Sequence, residues 1–232
     1  MLYYINFYLL SRYFFHICFL LLRGQLLYPL KPDIVINMKR SIHLIRHGIT
    51  EANQRNMFYG RSNFPLADEG VSSIRALLAE GVYPKPETAK YYTSALSRTE
   101  QTLSLIYGEV PHVRLGEFNE IFFGSYEKKT HEELKGDPDY TTWVNDKSGL
   151  LAPHGGENFT QFAERVLGGF RAVLESEAEH SVVVCHGGVI CVIMCHYFAV
   201  DGDIFKWEWV PKPGHGYTVI FDGSQPIGNT PF

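Results

Sequence analysis

The sequence lacks the features that would place this protein on nucleic acid or in a disulfide-linked scaffold. Its 21 basic and 25 acidic residues give a net charge of −4, with no strongly basic stretch, so no nucleic-acid partner is expected. Any anionic substrate must therefore be held by a local cluster of arginines. The few cysteines (Cys18, Cys185, Cys191, Cys195) form no CxxC pair and lie mostly in apolar runs, which indicates reduced, buried thiols and a cytoplasmic location.

Residues 1–38 form an apolar N-terminal extension, rich in Leu, Tyr and Phe, that differs from the rest of the chain. Its run over residues 13–22 is too short to span a bilayer, and no small-residue cleavage site follows it. Three interpretations are open: a weak interfacial anchor, an ordered extension packed on the domain, or a mis-assigned start with Met38 as the first native residue. We favour the last, and we expect no membrane partner.

Strands and helices alternate through residues 39–232, which predicts a single domain there. We expect strands at residues 41–46, 90–94, 112–115, 181–185 and 217–221, the last of these closing the set. Helices are expected at residues 66–80, 97–107, 130–135, 139–145, 158–177 and 187–198, with Asp68 and Ser97 as N-caps of the first two. This alternation predicts an α/β fold, a three-layer sandwich whose mostly parallel central sheet has helices on both faces.

Two of the predicted strands end in the same way, in a histidine followed by glycine. His47 precedes Gly48, and His186 precedes Gly187 and Gly188. Ligands of open α/β sheets bind beyond the carboxyl ends of the strands. Glycines there let the backbone approach an anion, and a helix that begins after His186 would point its unpaired N–H groups at that anion. One such histidine could be an ordinary core residue, but two predict a functional site.

Two arginines add positive charge to this predicted site. Arg46 closes a buried strand, where a guanidinium is costly unless it is paired or holds an anion. Arg98 lies in the first turn of a predicted helix and opposes the helix dipole, which an anion between them would relieve; on its own it could equally be a solvated surface residue. Because guanidinium groups match phosphate oxygens bidentately, two of them beside two histidines predict a phosphate pocket.

A metal site is not expected. On one strand His43 and His47 share a face but lie ~13 Å apart at the usual rise per residue, too far to bind one ion. Cys191, Cys195 and His196 are not accompanied by a second group of ligands. We therefore expect neither a metal nor a cofactor.

Several ordered motifs resemble those of the histidine phosphatase superfamily, in its phosphoglycerate mutase-like branch. LIRHGITEAN at residues 44–53 is similar to the family signature LxRHGxTxxN, and SALSRTEQT at 94–102 to SxLxRTxQT. Segments 60–70, 120–127 and 183–188 are similar to the PLTxxG, ExxxGxWEG and VxHGG blocks, and 154–157 matches PGGES in part. The resemblance covers roughly residues 41 to 190. Its departures are Ile49 in place of Glu or Gln, Tyr126 in place of Trp and Lys128 in place of Gly.

The resemblance implies a role for each matching position. His47 is implied as the nucleophile that forms a phosphohistidine, and Arg46, Arg98 and His186 as the cage around the phosphoryl group. Glu120 is implied as the proton donor to the leaving group; the residues alone leave Glu117 and Glu127 equally open. The implied substrate-binding residues are Asn53, Arg61 and Gly187.

The expected activity is hydrolysis of small-molecule phosphate esters. Short members of the family include α-ribazole phosphatases and sugar-phosphate phosphatases, and nothing in the sequence separates these two substrates. A phosphoglycerate mutase is the alternative within the family, and an inactive phospholigand-binding module is the alternative outside enzymes. Whether the protein forms a homodimer is left open.

Overall fold

The structure, a computed structural model, describes residues 39–176, 178–200 and 206–232. Its sheet is built from β1 (Lys39–Arg46), β2 (Lys90–Thr93), β3 (His112–Arg114), β4 (His180–Cys185), β5 (Gly216–Asp222) and β6 (Gln225–Pro231). The strand order is β3-β2-β4-β1-β5-β6. The first four neighbours are parallel, and β5 and β6 are antiparallel additions at one edge. The predicted mostly parallel sheet is confirmed.

Helices cover both faces of this sheet. They are α1 (Glu51–Gln54), α2 (Asp68–Ala79), α3 (Ser97–Tyr107), α4 (His131–Leu134), α5 (Pro138–Val144), α6 (Phe159–Leu174) and α7 (Gly187–Phe198). Short 3-10 turns lie at Gly116–Phe118, Gly124–Tyr126 and Trp207–Trp209. No helix among the described residues is both long and apolar enough to cross a membrane.

The side chains of β1 and β4 alternate between two separate cores. Leu44 and Val183 belong to the core formed with α6 and α7. Ile45 and Val184 belong to the core formed with α2 and α3 on the opposite face. Alternation is what a pleated strand produces, and here both faces are apolar because both are covered. The three-layer sandwich is thus confirmed.

Two predicted helix caps are wrong. Asp68 and Ser97 are the first residues inside their helices, and the N-cap positions are Ala67 and Leu96, which make no side-chain cap bond. The acceptor at the start of α3 comes from a distant loop, since the Ser97 N–H donates to Asn63 Oδ1 at 2.8 Å. A pattern of neighbouring residues does not reveal a cap that comes from another segment.

The expectation that the strand at 217–221 is the last one is also wrong. β6 pairs with β5 as an antiparallel edge strand. It contains Pro226, Gly228 and Pro231, residue types that argue against a strand when the sequence is read alone. They are tolerated at a sheet edge, where one side of the backbone needs no partner. The helix predicted over 158–177 ends at Leu174. Residue 177 and the extension 1–38 lie outside the described residues.

Lys128, one of the departures from the family motifs, has a backbone conformation that favours glycine. Its φ is +66°, in the left-handed region that costs a residue with a side chain about 1–2 kcal/mol. The Lys128 N–H donates to the Phe58 carbonyl at 2.7 Å, and the Phe58 N–H donates to the Lys129 carbonyl at 2.8 Å. These bonds to a neighbouring segment hold the conformation in place.

We expect Lys128→Gly to raise the free energy of unfolding by up to about 1 kcal/mol, because relief of strain exceeds the entropy that glycine adds to the unfolded chain. Denaturant unfolding measures the change. Lys129→Gly is the matched control: Lys129 is exposed and not among the positive-φ residues, so the same substitution there should be neutral or destabilising. Equal losses in both variants would contradict the assignment of strain to Lys128.

Candidate active site

The candidate site lies where three neighbouring parallel strands end. His47 follows β1, His186 follows β4, and Ser94 follows β2, so adjacent strand ends bring them together. The imidazole rings of the two histidines are 5.1 Å apart between centroids. His47 is 3% exposed and His186 0%. Both predicted histidines therefore lie at one buried site.

The tautomer of His47 is set by its own loop. Nδ1 lies 2.7 Å from the Gly48 carbonyl, and because a carbonyl can only accept, Nδ1 must carry the proton. Burial lowers the pKa of His47 well below its ordinary value of 6.5, and the charges of Arg98 and Arg46 lower it further. The result is a neutral ring whose Nε2 carries a lone pair, which is the form a nucleophilic histidine needs.

His186 is held by a chain of hydroxyl groups. Thr99 Oγ1 donates to the Leu96 carbonyl at 2.8 Å, so Ser94 Oγ donates to Thr99 at 3.1 Å and accepts from His186 Nε2 at 2.8 Å. This order puts the ring proton of His186 on Nε2. Nδ1 then accepts from Arg98 Nε at 3.3 Å. Burial, followed by the charge of Arg98, lowers the pKa of His186 well below 6.5.

Arg98 is fully buried at 0% exposure, so the alternative of a solvated surface arginine is wrong. Its Nη1 donates to the Ser62 carbonyl at 2.9 Å and its Nη2 to the Gly60 carbonyl at 2.7 Å. Neutral acceptors do not balance its charge, and a guanidinium has more N–H groups than these contacts use. A buried cation in this state favours an anion beside it.

Arg46 approaches the same site from β1. Its Nη1 donates to the Pro211 carbonyl at 2.7 Å, and its Cζ lies near Gly187, the first residue of α7. A Cβ on Gly187 would be only 3.3 Å from that Cζ. Absence of a side chain at Gly187 thus lets the guanidinium lie against the N-terminus of α7, whose dipole also attracts anions.

The structure separates the three glutamates that the residues alone left open. The carboxylate of Glu127 is occupied by another loop, since it accepts the N–H groups of Gly60 and Ser62 at 2.7 and 2.9 Å, although its charge acts on Arg98 as that of Glu120 does. Glu117 is exposed, and its Cβ packs where Gly169 has none. Glu120 instead points to α7.

Glu120 contacts the helix that begins beside His186. Its Oε2 accepts the Gly188 N–H at 3.0 Å, and its Oε1 accepts the Ile121 N–H at 3.0 Å. A Cβ on Gly188 would lie 2.3 Å from Oε1, so a side chain at this position would displace the Glu120 carboxylate. Glu120 is also among the charges that act on Arg98.

The remaining predicted residues lie around the cage with different contacts. Asn53 Oδ1 accepts from the Thr50 N–H at 3.0 Å and closes the capping box of α1. The side-chain carbonyl of Asn53 therefore stabilises the start of this helix. Arg61 is exposed, and its guanidinium lies 4.7 Å from the centre of the Phe122 ring. For both, a contact with substrate stays a prediction.

Tyr59 belongs to the site although the sequence did not single it out. The Arg98 guanidinium lies 4.8 Å from the centre of its ring, and the His47 ring meets it edge-on at 6.2 Å. An aromatic face beside a buried guanidinium supplies a cation–π contact. One signal was available in the sequence: Tyr59 directly precedes Gly60, the first residue of segment 60–70, which is matched to the family.

No group of three or more His, Cys, Asp or Glu side chains that could hold a metal occurs within residues 39–176, 178–200 and 206–232. What the site does contain is a neutral imidazole with a lone pair on Nε2, two guanidinium groups and a carboxylate, grouped around the ends of β1 and β4. Such a set can bind a phosphoryl group, attack its phosphorus and exchange a proton with the departing oxygen.

Comparison with known proteins identifies the family of this chain. The profile described as histidine phosphatase superfamily (branch 1) matches residues 42–226. The adenosylcobalamin/alpha-ribazole phosphatase of Salmonella typhimurium is 29% identical over 157 residues, which is 65% of this chain and 76% of that protein. A 2,3-bisphosphoglycerate-dependent phosphoglycerate mutase of Xanthobacter autotrophicus is 32% identical over 139 residues, 55% of this chain and 65% of that protein.

Among solved structures, the alpha-ribazole phosphatase from Shigella flexneri superposes with a TM-score of 0.70 at 23% identity. The superposition covers 80% of this chain and 93% of that one. At this identity the superposition shows a shared fold and nothing more.

We expect His47 to stay in its neutral, Nδ1-protonated form as the pH falls through 6.5, because burial lowers its pKa, whereas histidines of the unfolded chain titrate near 6.5. Nitrogen-15 NMR of histidine-labelled protein distinguishes the two tautomers and the cation, and His47→Gln identifies the signal. The unfolded chain binds more protons below pH 6.5, so the buried histidines should make the fold lose stability as pH falls from there. A His47 signal that becomes cationic near pH 6.5 would contradict the proposed environment.

Proposed function

Because this chain belongs to the histidine phosphatase superfamily, branch 1, we propose that its phosphatase reaction runs through a phosphohistidine formed on His47. The chain is a hydrolase of phosphate esters by this membership. The observation that carries the proposal is the bond from His47 Nδ1 to the Gly48 carbonyl at 2.7 Å. It leaves Nε2, beside two arginines, as the nitrogen that attacks.

In the first step Nε2 of His47 bonds to phosphorus while the bond from phosphorus to the ester oxygen breaks. Negative charge on the phosphoryl oxygens is stabilised by Arg46 and Arg98. His186 supports this cage through Arg98, whose Nε donates to its Nδ1. Glu120, when protonated, gives its proton to the departing oxygen, so the alcohol leaves neutral.

In the second step water hydrolyses the phosphohistidine. Glu120, now a carboxylate, takes a proton from the attacking water. The oxygen of that water bonds to phosphorus as the bond from phosphorus to Nε2 of His47 breaks. Inorganic phosphate leaves and His47 returns to its neutral form. The Gly187 N–H at the start of α7 donates to a phosphoryl oxygen, while the Gly188 N–H is bonded to Glu120, and no step requires a metal.

Asn53 is proposed as a further contact to the phosphoryl group, and Arg61 as a substrate contact beyond it. Arg61 stacks on Phe122, which is two residues from Glu120 along the chain. A guanidinium on an aromatic ring at the edge of the site suits a leaving group with a flat or polar surface. Similarity to the Salmonella protein favours α-ribazole phosphate, and sugar phosphates remain the second substrate class.

Residues 39–232 contain every residue of the proposed mechanism, so we propose that they form the catalytic domain and that the extension 1–38 takes no part in chemistry. A small-molecule ester, without nucleic acid, is the proposed partner, and the buried thiols agree with a cytoplasmic location. A homodimer is compatible with this function but is not required by it.

Phosphoglycerate mutase is the second candidate, because relatives with that name match the same domain. A mutase must shield its phosphoenzyme from water until the substrate takes the phosphate back. Only 66 positions separate Glu120 from His186, and α4, α5 and α6 occupy much of that stretch. This leaves little chain for a lid, which favours hydrolysis.

We expect steady phosphate release from several small monoesters, including α-ribazole phosphate and sugar phosphates, with activity retained in EDTA. With 3-phosphoglycerate and catalytic 2,3-bisphosphoglycerate, isomer exchange should be slow compared with release. Phosphate assays and NMR of the isomers measure the two rates. Exchange faster than release would establish the mutase instead, and EDTA-sensitive activity that Mg²⁺ or Zn²⁺ restores would overturn the metal-free mechanism.

Glu120→Gln should lower kcat/KM for alkyl phosphates by about 100-fold or more and for p-nitrophenyl phosphate much less, because a nitrophenolate leaves without a proton. Glu117→Gln, an exposed carboxylate three positions earlier, is the matched control and should leave both values unchanged. Parallel kinetics on the two substrates measure the ratio. Equal losses on both esters would show that Glu120 is not the acid.

A further inference from the structure

An ion pair outside the phosphate cage holds the segment that carries Glu120. Arg165, on α6, donates to the carboxylate of Glu157 through Nε at 3.2 Å and Nη2 at 2.5 Å. The side chains are only 21% and 12% exposed. Taking two charges this far out of water is costly unless further hydrogen bonds compensate it, so the other partners of the pair are informative.

On one side, Arg165 binds the backbone that leads up to Glu120. Its Nη1 donates to the carbonyls of Glu117 at 2.8 Å and Asn119 at 3.0 Å, with a longer contact of 3.4 Å to Gly116. These carbonyls belong to the 3-10 turn Gly116–Phe118 and to the residue that follows it, directly before Glu120. A single planar guanidinium thus fixes several peptide groups at once, which an ammonium could not match in geometry.

On the other side, Glu157 binds the backbone that follows Glu120. Its Oε1 accepts the Phe122 N–H at 2.8 Å, and its own N–H donates to the Phe122 carbonyl at 3.0 Å. The two loops are in close contact, since a Cβ on Gly156 would lie 2.5 Å from the Phe122 carbonyl oxygen. Glu120 therefore lies between two peptide groups, at Asn119 and Phe122, that the same ion pair holds.

The side chain of Glu120 depends on this support, because its described hydrogen bonds are to backbone N–H groups of Ile121 and Gly188. We propose that the Glu157–Arg165 ion pair positions Glu120 for proton transfer to the leaving group, with both members acting as positioning residues. The inference rests on the proposed role of Glu120. A displacement of about 1 Å at a reacting group can cost about 100-fold in rate.

The test uses the full chain and compares an alkyl phosphate with p-nitrophenyl phosphate. Arg165→Met should lower kcat/KM for the alkyl ester by about 10- to 100-fold and for the aryl ester by no more than about threefold. Inhibition by inorganic phosphate should be unchanged, since the cage is intact. Arg171→Met is the matched control: it removes an exposed arginine from the same helix and should change neither ester.

Two further variants separate positioning from charge and from folding. Arg165 lies close enough for its charge to lower the pKa of His186, and Arg165→Lys keeps that charge without the planar group, so it should restore alkyl turnover only in part. Glu157→Gln removes the ion pair but keeps an oxygen for the Phe122 N–H. It should show the same preference for aryl esters in milder form, and it decides the matter if Arg165→Met fails to fold.

A double-mutant cycle with Glu120→Gln closes the test. In that background Arg165→Met should lower alkyl turnover by less than about threefold, because the group it positions is already gone. Equal losses on both esters in a folded Arg165 variant, full rescue by lysine, or additive effects in the cycle would overturn the positioning role while leaving Glu120 as the acid. If Glu120→Gln itself shows no preference for aryl esters, the proposed acid role fails, and the inference fails with it.

Discussion

The proposed chemistry of this site depends on one hydrogen bond, from Nδ1 of His47 to the carbonyl of the next residue, Gly48. A histidine among two arginines could not attack phosphorus if it were protonated, and it could not attack from Nε2 if the proton lay there. Burial and neighbouring positive charge keep the ring neutral, and the carbonyl places its single proton. The Gly48 N–H is in turn held by Thr102 Oγ1 at 3.0 Å, which anchors the residue whose carbonyl accepts the bond.

The fold supplies this arrangement through the order of its strands. Because β2, β4 and β1 are neighbours and parallel, the residues after them meet at one edge without any long loop. Arg98 and both histidines are buried at that edge. Electrostatic interactions there are stronger than they would be in water. In the proposed mechanism a phosphoryl group would bind beside the two arginines, and Glu120, whose carboxylate contacts the start of α7, would exchange the proton.

The elements that the sequence predicted are those that depend on neighbouring residues in the chain. The apolar runs of β1 and β4, the buried helix α7 and the glycines after His47 and His186 each follow from neighbouring residues. What the sequence could not show depends on distant segments. Asn63 supplies the acceptor that replaces the expected Ser97 cap, and the proposal of Glu120 rather than Glu127 as the acid rests on the amides of residues 60–62, which hold the Glu127 carboxylate. The Glu157–Arg165 ion pair joins α6, the loop before it and the segment around Glu120, so neighbouring residues do not reveal it.

The most direct test of the central claim is to identify the nitrogen that carries phosphate during turnover. Protein labelled with nitrogen-15 histidine would be mixed with substrate, quenched in alkali, where phosphohistidine survives, and examined by phosphorus–nitrogen NMR coupling after isolation of the peptide containing residue 47. The account predicts phosphate on Nε2 of His47, with Nδ1 unmodified. Phosphate on Nδ1, on His186, or on no histidine while the enzyme turns over would contradict it.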